Sequence, residues 1–379
     1  MANESLSKAK EAKNDEFYTQ YHDIEKEISA YLEYNPDVFR GKTVLLPCDD
    51  PEWSNFTKYF AQNFEKFGLK RLISTSYAPE SKRYKFGYQP SLFETEAPHF
   101  DADKSKTHGK IFVLDHDVTG DGKINVEDLQ WQYLEGDGDF RSAEICKLRD
   151  QADFIITNPP FSLFREFLAW IVEADKQFVI IGNKNCITYK EVFPLIKDNK
   201  LWSGRTEWSG GMWFETKNNE DVDKVIDGMN MKNVPSIWIT DIDHGRRHQP
   251  IPLMSMADNL KFSKHKDIRG QEAYIHYENY DAIEVPYTDS IPSDYDGIMG
   301  VPVSFLDKYC PEQFEIVGMC ENEDLYKLKT KIYSSEECKQ AYIDKFGKKG
   351  TYDLNASGVI IRNGLREKVY QRILIRKKQ

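Results

Sequence analysis

Asn158-Pro159-Pro160-Phe161 is the stretch of this sequence whose residue types could do chemistry at one point in space. An exocyclic amine on a purine is a poor nucleophile, because its lone pair is delocalised into the ring. The amide oxygen of Asn158 and the backbone carbonyl of Pro159 can between them accept both hydrogens of such an amine. The nitrogen is then drawn towards a pyramidal geometry, with its lone pair aimed at an electrophile. Phe161 offers a face on which the ring can stack, worth roughly 1–3 kcal/mol per base. The candidate catalytic residues are therefore Asn158, Pro159, Pro160 and Phe161. The plain alternative is a Pro-Pro loop whose Asn caps a helix and whose Phe fills the core.

The flanking sequence supplies the elements that must position this turn. Asp153 to Thr157 is a short run rich in β-branched residues, which reads as a buried strand. Pro159 and Pro160 donate no backbone N–H and fix φ near −65°, so the strand stops at Asn158. Ser162 to Ala174 places Leu163, Phe167, Trp170 and Ile171 on one side at helical spacing. In open α/β sheets the carboxyl edge reached by such a strand is where ligands bind. Lys42 to Pro47 reads as a first strand, running into Cys48-Asp49-Asp50-Pro51 and a helix over about 53–67. Arg71 to Ser74 reads as a second strand, and Gln177 to Gly182 as another, with a helix near 189–196. Helical periodicity also covers Asp23 to Tyr34 and about 142–150. Trp208 to Phe214 and Ser236 to Thr240 read as antiparallel strands completing the same sheet.

With these motifs in view, the chain resembles the N6-adenine DNA methyltransferases, and among them the EcoRI-type modification methylases. The likeness extends to Asn14–Gln20, Cys48–Phe56, Gly138–Ser142, Ile181-Gly182-Asn183 and Gly300–Tyr309. It covers most of the chain and is weakest between about 80 and 135. The resemblance implies a doubly wound, mostly parallel α/β sheet that binds S-adenosylmethionine (AdoMet). It implies that Phe17, Tyr18 and Thr19 hold the methionine end of that cofactor. Pro47, Asp49 and Asp50 would lie under it, with the carboxylates on its ammonium or ribose hydroxyls. Asp139 would meet the adenine amine of the cofactor, Phe140 its ring, and Asn158 would border it as well. Two family features are missing. The turn after the first strand lacks the usual glycines, and Thr75-Ser76-Tyr77 stands where an acidic ribose ligand is common.

Residues 78–110 are polar and lack periodicity, as a surface excursion would. Asp117, Thr119, Asp121, Asn125 and Asp128 then fall at positions 1, 3, 5, 9 and 12 of a loop with Gly122 at position 6. That is the calcium-loop spacing, in the dockerin-like form with Asp at the last position. No clear helix precedes it, so the reading adopted is an acidic turn in a hairpin insertion, with no metal.

Composition bounds the rest. At 379 residues, 40% of them hydrophobic, the chain can bury one large core or two ordinary ones. No apolar run approaches the ~20 residues needed to cross a bilayer. Six scattered cysteines without a C-x-x-C pair fit reduced thiols and a cytoplasmic protein. A net charge of −11 argues against nucleic-acid binding by the whole surface, which directs attention to local basic runs. Arg246 and Arg247, then Lys264, Lys266 and Arg269, are such runs with aromatics interleaved. Another lies within 362–379 and includes Arg372. Phosphate contacts dominate DNA affinity, so these runs are candidates for a DNA-facing surface.

The expected protein thus has an AdoMet-binding catalytic domain over 1–243 and an α+β target-recognition region over 244–379. Its expected activity is methyl transfer to the N6 amine of an adenine flipped out of duplex DNA, since the amine cannot be reached inside the helix. A cognate restriction endonuclease is the partner the resemblance suggests, and a monomer is the simplest expected state. Methylation of RNA or of a protein glutamine, or AdoMet and DNA binding without catalysis, are the rival readings.

Overall fold

The computed structural model describes residues 18–48, 54–78, 92–216 and 222–378. These divide into two compact units, one running up to Phe193 and resuming over Leu201–Gly245. The other comprises Pro194–Lys200 and the chain from Arg246 onward.

The first unit contains, in chain order, β1 (Tyr18–Thr19), α1 (Tyr21–Tyr34), β2 (Thr43–Leu46), α2 (Asn55–Gln62) and β3 (Arg71–Thr75). There follow β4 (Lys110–Leu114), β5 (Gln130–Tyr133), α3 (Ala143–Gln151), β6 (Phe154–Thr157), α4 (Phe164–Glu173) and β7 (Gln177–Asn183). The remaining strands are β8 (Trp202–Ser203), β9 (Met212–Glu215), β10 (Lys224–Ile226), β11 (Met229–Val234) and β12 (Ser236–Thr240). Eight of them form one sheet in the order β5-β4-β3-β2-β6-β7-β12-β8. The four central strands, β3-β2-β6-β7, are parallel. The pairs on either side are antiparallel. The sheet is therefore mixed, and its parallel part is the centre alone. Strands β2 and β6 are buried at every position, as strands covered on both faces must be. Against them packs an aromatic cluster in which Phe39 meets Phe154 at 5.2 Å and Phe60 at 5.7 Å, both edge-on.

Three local expectations are corrected. The helix expected over 53–67 breaks at Asn63, whose side-chain amide donates to the Tyr59 carbonyl at 2.9 Å. A side chain that takes a backbone acceptor competes with helix continuation, and a separate turn, Phe64–Phe67, follows. The helix expected near 189–196 is shorter, Phe193–Lys197, with Pro194 in its first turn, where a missing N–H costs nothing. Trp208–Phe214 does not join the main sheet. Gly210 and Gly211, at φ +81° and +70°, turn the chain aside before β9. β9 then enters a second, antiparallel sheet of order β1-β9-β11-β10.

The second unit holds β13 (Ala282–Glu284), β14 (Ile298–Pro302), β15 (Phe314–Met319), α5 (Ser335–Phe346), β16 (Val359–Arg362), β17 (Leu365–Lys368) and β18 (Arg372–Lys377). Its main sheet runs β13-β14-β18-β15, and β16 and β17 form a separate hairpin. That hairpin turns on Asn363-Gly364, both at positive φ, the signature of a two-residue turn matched to strand twist. Helix α5 starts on a reciprocal Ser334–Glu337 capping box and ends at Gly347 in the left-handed region.

Candidate active site at the end of the central strand

Strand β6 is fixed before the turn begins. The Asp153 carboxylate accepts the Thr43 amide at 2.8 Å and faces the Lys42 ammonium at 3.4 Å, setting its register against β2. After Thr157 the chain passes through Asn158, Pro159 and Pro160 into a single 3-10 turn, Phe161–Leu163, which leads into α4. Helix α4 buries Phe164, Phe167, Leu168, Trp170 and Ile171, most of them on the stripe read from the sequence. Gly182 on β7 allows this close packing, since a Cβ there would lie 2.7 Å from the Phe164 ring.

The turn stands where the strand order reverses. From β2 the connection to β3 goes one way along the sheet, and β6 lies on the other side of β2. In such sheets ligands bind at the carboxyl edge of the switch point, the edge that here carries Pro47–Cys48 after β2 and Asn158 after β6. The side-chain oxygen of Asn158 is withdrawn from solvent, where an acceptor acts more strongly than in water. Phe161 is half-buried, and its ring meets Phe214 of β9 edge-on at 6.5 Å.

Phe214 connects the turn to the amino-terminal arm. Thr19 pairs with Phe214 and Tyr18 with Glu215, so the arm expected at the cofactor is brought beside the Asn158 turn. Asn55, the first residue of α2, donates to the Thr19 carbonyl at 2.8 Å. Ser54 caps the same helix by accepting the Phe56 amide at 3.1 Å, and Thr57 meets the Ser74 hydroxyl at 2.8 Å. Pro47 is buried, and its carbonyl accepts the Thr75 hydroxyl at 3.3 Å. Phe17, Asp49 and Asp50 lie outside the described residues. Phe214 and Asn55 are the residues sequence reasoning missed. Asn55 sits inside the Cys48–Phe56 motif, but nothing local announces a partner 36 residues earlier.

The Gly136–Asp139 loop closes on the end of β3. Gly138 has φ +83°, and a Cβ on it would lie 2.2 Å from the Ser76 carbonyl oxygen, so only glycine fits. Asp139 then faces Arg141, with Oδ1 and Oδ2 at 2.9 and 2.7 Å from the guanidinium. Those bonds hold the Asp139 carboxyl below the usual aspartate range. Arg141 also reaches Glu166 of α4 at 3.1 Å, tying the loop to the helix after the Asn158 turn. Phe140 departs from expectation. Its ring is 5% exposed and packs edge-on against Phe167 at 5.1 Å and Trp170 at 5.7 Å. It fills the core under α4 and offers no open face to a cofactor.

The oxygen-rich loop from Asp117 to Asp128 forms the turn of the β4–β5 hairpin, and its carboxylates are engaged by its own backbone. Asp128 accepts the amides of Val118 and Thr119, each at 2.9 Å, and that of Asn125 at 3.0 Å. These bonds, those from Thr119 and Asn125 foremost, hold its carboxyl down to about 2. Asp117 accepts Gly120 and Gly122, and Asp121 accepts Lys123. The Thr119 hydroxyl donates to Asp117 at 3.4 Å, and the Asn125 side-chain oxygen accepts the Glu127 amide at 2.8 Å. Among the described residues no three His, Cys, Asp or Glu side chains are grouped so as to hold a metal ion.

The basic runs divide. Arg246 pairs with Asp307 at 2.9 Å, and Arg247 is buried and donates to Asn199. Arg372 is buried against Glu284 at 2.6 Å. These three were expected on a DNA-facing surface; Arg247 and Arg372 are instead buried in the second unit, and Arg246 is partly exposed and engaged by Asp307. Lys264, Lys266 and Arg269 are exposed, with Lys264 beside Asp289 at 2.7 Å. All six cysteines are free, and no helix among the described residues is long and apolar enough to cross a membrane.

Comparison with known proteins gives the family. The family described as adenine-specific methyltransferase EcoRI matches residues 5–378. The chain is 41% identical to the Type II methyltransferase M.EcoRI of Escherichia coli over 333 residues, covering 85% of this chain and 91% of that protein. It is 32% identical to the Type II methyltransferase M.MpnI of Mycoplasma pneumoniae, covering 86% and 90%. It is 30% identical to the Type II methyltransferase M.MgeORF184P of Mycoplasma genitalium, covering 99% of both chains. No solved structure gives a significant match. A parallel-centred sheet, an Asn-Pro-Pro-Phe turn at its switch point and a match along almost the whole chain lead to one conclusion: the protein belongs to the EcoRI family of adenine-specific methyltransferases and is a site-specific DNA adenine methyltransferase.

Proposed function

We propose that the chain methylates the N6 amine of an adenine turned out of duplex DNA and held at Asn158–Phe161, with AdoMet as donor. The observation that carries this reading is the Asn158 turn itself. It stands at the switch point of the sheet, its amide oxygen withdrawn from water and Phe161 beside it. When bound, AdoMet would supply a methyl group on a sulfonium sulfur that departs as a neutral thioether on direct displacement, the methylated amine then losing its extra proton to water. Asn158 and the Pro159 carbonyl accept the two amine hydrogens, and the lone pair turns towards that methyl. Phe161 holds the ring by stacking. Positioning and polarisation carry the step, and a general base of matched pKa is not required.

On the cofactor side, the Tyr18–Thr19 arm is assigned to the methionine end and Asp139, oriented by Arg141, to the adenine amine. Pro47, Asp49 and Asp50 are assigned to the turn under the cofactor. The second unit is assigned to reading DNA, with Lys264, Lys266 and Arg269 on phosphate. The test is incubation with AdoMet and mixed-sequence duplex DNA, followed by single-molecule sequencing. Methylated adenines at one recurrent sequence are expected. Their absence from duplex, with methylation of RNA or of a protein glutamine, would refute the assignment.

A further inference from the structure

The second unit carries a groove of about 1060 Å³ for which the site described above has no use. Two segments roughly a hundred residues apart in sequence border it, and its wall holds Lys345, Arg362, Lys368 and Arg372 beside Asp267, Glu284 and Glu367. Asp267 and Ile268 of the Lys264–Arg269 run form part of its wall, as do Arg362 and Lys368 of the hairpin. Charge is distributed unevenly along the chain. Beyond residue 245 there are 21 Lys and Arg against 20 Asp and Glu, while up to that point there are 30 against 42. The unit with the groove is thus free of the acidic excess that would repel a polyanion.

Tyr370 stands on the rim of this groove and is 89% exposed, more than any other large hydrophobic side chain among the described residues. Its backbone, in contrast, is held from both sides. The Tyr370 carbonyl accepts the Ser357 hydroxyl at 3.0 Å and the Arg372 guanidinium at 3.3 Å. The Val369 amide donates to the Gly358 carbonyl at 3.0 Å, and Arg372 is locked to Glu284. A ring presented to solvent on a rigid mount loses little freedom when it stacks, so most of its contact energy appears as affinity. Aromatic and apolar side chains of this kind stack on unpaired bases or wedge between base steps.

We propose that this groove is where the second unit engages duplex DNA, with Tyr370 stacking on a base and Lys264, Lys266 and Arg269 meeting the backbone. The proposal rests on the reading that the second unit binds DNA, and it names the surface and the ring that do so. The test uses full-length Tyr370→Ala and Tyr370→Phe, with affinity for a short mixed-sequence duplex measured by fluorescence anisotropy. Tyr370→Ala should bind roughly 5- to 150-fold more weakly, the range expected for one lost base stack. Tyr370→Phe should retain most of the affinity, and the thermal midpoint of both should match wild type. If Tyr370→Ala binds duplex as tightly as wild type while adenine methylation persists, the stacking role is overturned and the function stands. If wild type binds no duplex at all, both fall. If Tyr370→Ala instead changes self-association in sedimentation and leaves DNA affinity intact, the groove is a contact between copies of the chain, which also overturns the proposal.

Discussion

The Asn55 side-chain amide and the Thr19 carbonyl, 2.8 Å apart, join the amino-terminal arm to the helix that follows the cofactor turn. Thr19 pairs in turn with Phe214, and Phe214 meets the Phe161 ring. Four segments distant in sequence therefore converge through one hydrogen bond, one strand pairing and one ring contact.

Asn158→Ala should abolish methyl transfer and leave AdoMet affinity within a few-fold, because the lost oxygen acts on the amine and not on the donor. Loss of a preorganised polar group of this kind costs on the order of 10²–10³ in kcat. Single-turnover methylation beside equilibrium AdoMet binding separates the two effects. Turnover above about a hundredth of wild type would remove Asn158 from its assigned role.

Phe161 packs on Phe214 on one side, so truncation to Ala would mix lost stacking with lost packing. Phe161→Leu fills much of the same space without a ring face. It should weaken binding of target duplex by roughly 1–3 kcal/mol while AdoMet affinity holds. With 2-aminopurine at the target position, fluorescence should rise on binding the wild type. An active enzyme that gives no rise would contradict extrusion of the base.

Neutralising Lys264, Lys266 and Arg269 together should make the plot of log K against log salt shallower. The expected change is about one unit for each residue that meets phosphate. An unchanged slope with binding intact would show that this segment faces solvent.

Glu27 is fully buried on α1 and accepts four hydrogen bonds. The donors are the Tyr31 hydroxyl at 2.6 Å, the Arg205 amide at 2.6 Å, and the Thr206 amide and hydroxyl at 2.9 and 2.7 Å. Glu27→Gln would set an NH₂ donor against donors, and should cost about 2–4 kcal/mol in chemical denaturation. A loss below about 1 kcal/mol would mean that the chain relaxes around the amide.

Burial pushes the Asp241 carboxyl up to about 7, although it accepts the Phe178 amide at 2.7 Å. The folded state thus keeps a proton that the unfolded chain releases near pH 4. Stability from this site is fully present below about pH 4 and is lost as pH rises through about 7. Asp241→Asn keeps the acceptor and removes the ionisation. Its stability relative to wild type should therefore grow between pH 4 and pH 8, by on the order of 2–4 kcal/mol. A difference that stays flat over this range would show that Asp241 is ionised in the folded protein.

The Asn158 turn was legible because its signal is local: a β-branched run, two prolines and a helical stripe lie within some twenty residues. Central strands β2, β3, β6 and β7 were legible for the same reason. Charge was misleading where its meaning depends on a distant partner. Nothing around Arg246 or Arg372 in sequence reveals Asp307, 61 residues on, or Glu284, 88 residues back. Phe140 shows the same limit for aromatics, since a ring beside a conspicuous Asp can still point into the core. The break at Asn63 and the diversion of β9 each turn on one or two residues whose side chain or φ redirects the backbone.

The ends of the main sheet have a consequence for the chain in concentrated solution. On one flank the sheet closes with β8, only two residues long, and on the other with β5, four residues long. Exposed ladders are templates for pairing with another molecule, and their hazard grows with length. The strand that bears the Asn158 turn, β6, lies four places in from β5 and three from β8, and β2, at the cofactor edge, three and four. A second molecule that added a strand at either margin would find little to grip and would leave the reactive turn undisturbed.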